Sequence, residues 1–134
     1  MFLGRGKGFG FNLQFGFNNY SEEMIGDLEY AYACETLLFP YVRDFRPEAI
    51  IISCGFDSAL GDTLGGLGLS PMGFAWMTHG LAKICPHLIS VLEGGYNLEA
   101  LAKCSEAVLR TLFIRGDDEE NFSKLLVKLQ KPGG

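Results

Sequence analysis

Ala49-Ile50-Ile51-Ile52-Ser53 and, further on, Leu88-Ile89-Ser90-Val91-Leu92 decide the fold of this chain. Both are short apolar runs rich in β-branched residues, without the alternation of a half-buried strand. Such runs read as strands buried on both faces, as in a parallel sheet. Between them Ser70-Pro71 supplies a helix N-cap and a first-turn proline, so a helix is expected from about residue 71 to 84. After the second strand, a helix is expected over about 98–113, with Leu98, Leu101, Val108 and Leu112 facing inward. A strand, a helix and a second strand in this order imply a right-handed βαβ unit.

Upstream, Ser21 reads as an N-cap, with Glu22 and Glu23 in the first turn. Met24, Leu28, Ala31, Leu38, Val42 and Phe45 follow at steps of three, four and seven, predicting one buried helical face. Arg46-Pro47 should end that helix, because proline disfavours helix at the residue before it. The opening Gly/Phe/Asn-rich stretch predicts a short strand over Phe11–Phe15 and loop elsewhere. The charged tail after residue 114 carries Phe122, Leu125, Leu126 and Leu129, the pattern of a last short helix.

The chain has 134 residues, enough for one small domain. A net charge of −5 argues against a sequence-independent nucleic-acid binder, which needs a basic surface. No secretory h-region opens the sequence, and no apolar run approaches the ~18 residues of a membrane span. Cys34, Cys54, Cys85 and Cys104 form no Cys-x-x-Cys pair and are expected to be free buried thiols.

In parallel sheets, sites form outside the carboxyl ends of the strands. Segments 54–70 (CGFDSALGDTLGGLGLS) and 93–97 (EGGYN) both follow such an end, so they should share one rim and bring Asp57, Asp62 and Tyr96 together. Asp57 is a metal ligand, a catalytic base or a cap for the loop that follows. Asp62, preceded by Gly61, reads as a turn residue. Tyr96 either aims its hydroxyl at a developing oxyanion or packs on its neighbours. His79 falls mid-helix, roughly 12 Å from the rim at 1.5 Å per residue. His87 precedes the second strand, at the opposite sheet edge. Both histidines are expected to be structural. The Gly4-x-Gly6-x-Gly8-x-Gly10 run lacks the spacing and the preceding strand of a phosphate loop.

These residues resemble the zinc-dependent histone deacetylases of class II type. The resemblance is carried by Ser53-Cys54-Gly55-Phe56-Asp57-Ser58-Ala59, Gly61-Asp62, Leu64-Gly65-Gly66, Ser70-Pro71, Gly73-Phe74-Ala75, Met77-Thr78-His79 and Leu92-Glu93-Gly94-Gly95-Tyr96-Asn97-Leu98. Gly6-Lys7-Gly8, Gly10-Phe11-Asn12-Leu13, Gly26-Asp27 and Glu29-Tyr30 also match. Cys54 and Gly16 depart from it, standing where alanine and proline are common. The resemblance runs from about residue 4 to 113.

The resemblance implies an α/β fold, part of the arginase–deacetylase three-layer type with a parallel sheet. Residues 1–114 would be the C-terminal part of the catalytic domain, and 115–134 a charged extension. It implies hydrolysis of N-ε-acetyl-lysine, with Asp57 as one of three protein ligands of a catalytic zinc. Tyr96 would polarise the acetyl carbonyl, Leu64 would wall the substrate channel, and Gly94 and Gly95 would let backbone approach it. Tyrosine at 96 is similar to active class IIb and related members, whereas class IIa members carry histidine there. The family's Asp-x-His and His-His motifs do not occur in this sequence. The chain is therefore expected to be a fragment, to bind zinc weakly and to be inactive alone. The implied partners are acetyl-lysine proteins such as histone tails and the N-terminal part of the same domain, without direct nucleic-acid or membrane binding. The implied location is nucleus or cytoplasm, with a role in chromatin regulation. Competing readings are a non-catalytic pseudo-deacetylase acting as an interaction module, a deacetylase of acetylated polyamines, and a small nucleotide-binding domain.

Overall fold

The computed structural model describes residues 4–17 and 24–130. β1 (Ile50–Cys54) and β2 (Leu88–Leu92) pair in parallel, Ile50 against Leu88 and Cys54 against Leu92. β1 begins one residue later than expected. The crossover helix α3 spans Pro71–Ile84, and the Ser70 hydroxyl caps it by accepting from the Gly73 N–H at 3.2 Å. α4 spans Leu98–Leu112, capped by Asn97, whose Oδ1 accepts from the N–H groups of Glu99 and Ala100. α5 spans Glu119–Leu129, with Asp118 as its cap.

The core lies on one face of the sheet. Ile52 and Cys54 of β1 meet Phe74 and Met77 of α3 and Cys104 and Val108 of α4, with Phe56 and Leu69 closing the top. A second cluster, Ala75, Ala107, Phe122 and Leu125, fastens α5 onto α3 and α4. The four cysteines are free and buried, as expected. Among the described residues no helix is long and apolar enough to cross a membrane.

The strands are not buried on both faces. A strand's side chains alternate, and the second face presents Ile51 (71% exposed), Ile89 (54%) and Val91 (44%) to solvent. The reason is geometric: α3 and α4 both pack on the Ile52 side. In α4 the inward residues are Cys104, Ala107, Val108 and Thr111, with Leu101 and Leu112 half-buried. Leu98, expected inward, is exposed in the first turn.

The first helical segment also corrects the expectation. α1 (Asp27–Ala33) runs into a wide π-turn over Cys34–Leu38 and then α2 (Phe39–Phe45). Pro40 cannot donate to the Thr36 carbonyl, and a wider turn just before it relieves that missing bond. Ala33, Cys34 and Phe39 are buried; of the expected face, Ala31, Leu38 and Val42 are half-buried while Met24, which precedes the helix, Leu28 and Phe45 are exposed, and the extra residue shifts the phase of α2 relative to α1. The segment ends at Arg46, in the left-handed region at φ 53°, as the following proline predicts. The Ser21 cap with Glu22 and Glu23 lies outside the described residues. Phe11–Phe15 forms no strand. A single 3-10 turn, Gly6–Gly8, marks the N-terminal stretch.

Candidate functional site

The ladder between β1 and β2 continues past the strand ends. Glu93 N–H donates to the Cys54 carbonyl at 3.2 Å, and Phe56 N–H donates to the Gly94 carbonyl at 2.8 Å. These bonds place the 54–70 and 93–97 loops side by side at the carboxyl rim. Phe56 anchors the first loop, buried against Phe74 with ring centroids 5.1 Å apart. Leu60 and Leu69 pair within that loop, where Leu60 N–H donates to the Leu69 carbonyl at 2.9 Å. The loop's far end is tied to α1. The Asp27 carboxylate accepts from the Ser70 N–H at 2.8 Å and from the Ser70 hydroxyl.

Asp57 and Tyr96 converge on Gly94. A Cβ built on Gly94 would stand 3.1 Å from Asp57 Oδ2 and 3.6 Å from the Tyr96 hydroxyl. Any side chain at 94 would thus occupy the space between the two groups. Gly95 has φ +127°, a conformation that side-chain-bearing residues avoid, and its backbone packs on Phe56 and Leu101. The Asp57 carboxylate is half-buried and receives no hydrogen bond from the described residues. It does not cap the following loop; Asp62 does. Leu64 and Tyr96 are exposed, as are Leu60 and Leu98 of the same two segments.

Asp62 is more than a turn residue. The residue is 8% exposed. Oδ1 accepts from the N–H groups of Leu64 (2.9 Å) and Gly65 (3.2 Å). Oδ2 accepts from those of Tyr96 (2.6 Å) and Asn97 (3.2 Å) on the other loop. The bond from Tyr96, followed by that from Leu64, holds the Asp62 carboxyl below its ordinary value against the opposing effect of burial. Tyr30, matched in sequence but assigned no role there, lies beneath the Asp57 loop. Burial pushes its phenol pKa up, a hydrogen bond with Ser58 opposes that, and the Asp57 charge adds to it. Phe17 stacks on the Tyr30 ring at 4.6 Å. No sequence period points to these two roles, since both depend on contacts between distant segments.

The histidines sit where their spacing predicts, away from the rim. His79 is buried on α3 against Phe122 of α5. His87 lies at the amino edge of the sheet, its Nδ1 2.9 Å from the Glu48 carbonyl. A cleft of about 530 Å³ also opens at that edge, lined in part by Lys83, Pro86, Leu88 and Leu112, and is remote from Asp57. Among the described residues no three His, Cys, Asp or Glu side chains come together to hold a metal ion. Catalytic zinc takes three protein ligands and an open position, so the described residues do not by themselves fit it.

A parallel α/β unit whose two rim loops present a carboxylate and a tyrosine around a glycine pair defines the class. The histone deacetylase domain matches residues 2–112. Histone deacetylase HDA1 of Saccharomyces cerevisiae is 41% identical over 117 residues, 87% of this chain and 16% of that protein. Polyamine deacetylase HDAC10 of Homo sapiens is 38% identical over 111 residues, 82% of this chain and 16% of that protein. The solved structure of the histone deacetylase Clr3 superposes with a TM-score of 0.73 at 30% identity, covering 95% of this chain and 22% of that one. The chain belongs to the histone deacetylase family, and its α/β architecture is part of the arginase–deacetylase fold. It spans 16% of the length of these curated relatives.

Proposed function

We propose that this chain contributes one wall of the acyl-lysine site of a deacetylase that hydrolyses N-ε-acetyl-lysine, with histone tails as the substrate class. In this reading Asp57 is a metal ligand and Tyr96 the donor to the oxyanion. Leu64 flanks the acyl-lysine channel, and Gly94 and Gly95 allow backbone to approach it. The observation that carries the reading is the pairing across Gly94 of a phenol with a carboxylate that accepts no hydrogen bond from the described residues, 3.6 and 3.1 Å from where a Cβ at 94 would stand.

As water adds to an amide carbonyl, negative charge develops on the carbonyl oxygen. A phenol O–H held at that oxygen donates a hydrogen bond that strengthens as the charge grows. The backbone of Tyr96 is held by the Asp62 carboxylate, which fixes where its side chain starts. The family is generally zinc-dependent, and bound zinc would supply Lewis-acid polarisation of the carbonyl. The described residues offer it one ligand, so the other ligands and the general base belong to residues outside those described. The nucleus or cytoplasm is the proposed location.

The test is to express the complete product of the natural transcript that contains these residues and measure its hydrolysis of an acetyl-lysine peptide. Tyr96→Phe should lower kcat about 100-fold with KM little changed, the usual scale for one oxyanion donor. A Tyr96→Phe protein that turns over as fast as the wild type would sink the role assigned to the hydroxyl. A wild-type product without hydrolysis would favour the interaction-module reading. The similarity to a polyamine deacetylase makes acetylated polyamine the second substrate to assay.

A further inference from the structure

We propose that Asp62 is the positioning residue of Tyr96: a single buried carboxylate that locks the two rim loops together and so fixes where the Tyr96 hydroxyl stands relative to Asp57. The proposal rests on the deacetylase reading only for the reaction whose rate reports it.

A turn residue needs one oxygen. The bonds from Leu64 and Gly65 to Oδ1 complete the local turn after Gly61, which has φ +92°. Oδ2 is not needed for that turn. It accepts from Tyr96 at 2.6 Å and Asn97 at 3.2 Å, residues 34 and 35 positions away. A second tie runs beside it, from Asn97 Nδ2 to the Gly61 carbonyl at 2.8 Å. Asn97 is also the cap of α4. The Tyr96 backbone is therefore clamped between Gly95, whose conformation is set by close packing, and the rigid start of a helix.

The chemistry requires a carboxylate. All four partners are backbone N–H donors, and only an ionised acid presents two acceptor oxygens. Asparagine, of the same shape, accepts through one oxygen and turns its NH2 toward two N–H groups. Asp62→Asn must then release one loop or the other. Loosening either loop moves the Tyr96 hydroxyl relative to Asp57, and displacement of about 1 Å in a catalytic group costs up to roughly 100-fold in rate.

The experiment has two arms. In the 134-residue chain, amide hydrogen exchange is followed by NMR. Because one group accepts all four bonds, the amides of Tyr96, Asn97, Leu64 and Gly65 should exchange slowly and share one protection factor once each rate is divided by its intrinsic value. In Asp62→Asn, one pair should lose protection, and the nuclear Overhauser contact between the Tyr96 ring and Gly94 should weaken. Asp62→Glu keeps both oxygens and should restore part of both. In the complete natural product, Asp62→Asn should lower kcat roughly 10- to 100-fold with KM changed less than about threefold.

Unrelated protection factors for the two loops in the wild-type chain would overturn the proposal, and need no variant that folds. So would an Asp62→Asn protein with the Tyr96 amide still protected, or one whose loss lies in KM with kcat intact. A wild-type product inactive on acetyl-lysine would overturn the deacetylase reading instead, and the exchange and Tyr96–Gly94 measurements would still decide the role of Asp62.

Discussion

Lowering the pH should release α5, and His79 sets the sign. His79 is 3% exposed and stacked on Phe122 with ring centroids 3.8 Å apart and planes 12° from parallel. Among the described residues neither ring nitrogen has a hydrogen-bond partner. The closest carboxylate, Glu119 Oε2, stands 3.6 Å from Nε2, and Glu119 is already engaged by Lys83 at 2.6 Å. Burial is the largest influence and lowers the His79 pKa. The Glu119 charge raises it, the Lys83 charge lowers it, and the net direction is down. With α5 docked, His79 thus binds its proton less readily than when α5 is released. Docking is fully favourable above the ordinary histidine value of about 6.5 and weakens as pH falls through it toward the docked value. One proton is linked, so the loss is at most about 1.4 kcal/mol per pH unit, a tenfold change in the docking equilibrium.

Trp76, the only tryptophan, packs against the cluster that holds α5, so its emission reports release. Urea titrations of that emission between about pH 8 and pH 5.5 should show midpoints falling with pH. His79→Phe keeps the aromatic stack and removes both the titration and two unbonded nitrogens. It should raise stability by about 1–3 kcal/mol, the cost of leaving a buried polar group unpaired, and flatten the pH dependence. A slope that survives in His79→Phe would refute the assignment. Midpoints that rise as pH falls would show that the imidazolium–Glu119 pair outweighs burial.

Two further outcomes follow from the loop and the sheet. Alanine at positions 65 and 66 should separate lack of space from backbone strain. A Cβ at Gly65 would overlap the Asp57 carbonyl, a backbone atom that cannot step aside, so Gly65→Ala should cost about 3 kcal/mol or more. Gly66 has open space and φ +63°, so Gly66→Ala should cost only about 1 kcal/mol, read from denaturant midpoints; equal costs would contradict the packing argument. On the bare sheet face, Ile51→Thr with Ile89→Thr should raise the monomer fraction in light scattering while shifting stability by less than about 1 kcal/mol in total. Unchanged association would place the sticky surface elsewhere.

Much of this protein was legible locally. Ser70-Pro71 marked the start of α3, the apolar spacing from residue 98 marked α4, and two apolar runs marked strands whose carboxyl ends carry the candidate site. Parallel pairing then obliged Asp57 and Tyr96 to share a rim. These features rest on interactions within a few residues, which composition and period record directly. Three others were decided by tertiary structure. The π-turn before Pro40 broke the helical period, so one spacing from Met24 to Phe45 could not describe a single face: Ala31, Leu38 and Val42 are half-buried, Met24, Leu28 and Phe45 exposed. The side of the sheet that α3 and α4 cover left Ile51 and Ile89 bare, although an unalternating apolar run looks buried on both sides. Asp62 looked like a turn residue because half its bonds are local; the other half reach Tyr96 and Asn97 only once β1 and β2 have brought the loops together. A sequence period reports which neighbours along the chain share a face, whereas a bond between distant loops exists only in the folded arrangement that brings them within 3 Å or so of each other.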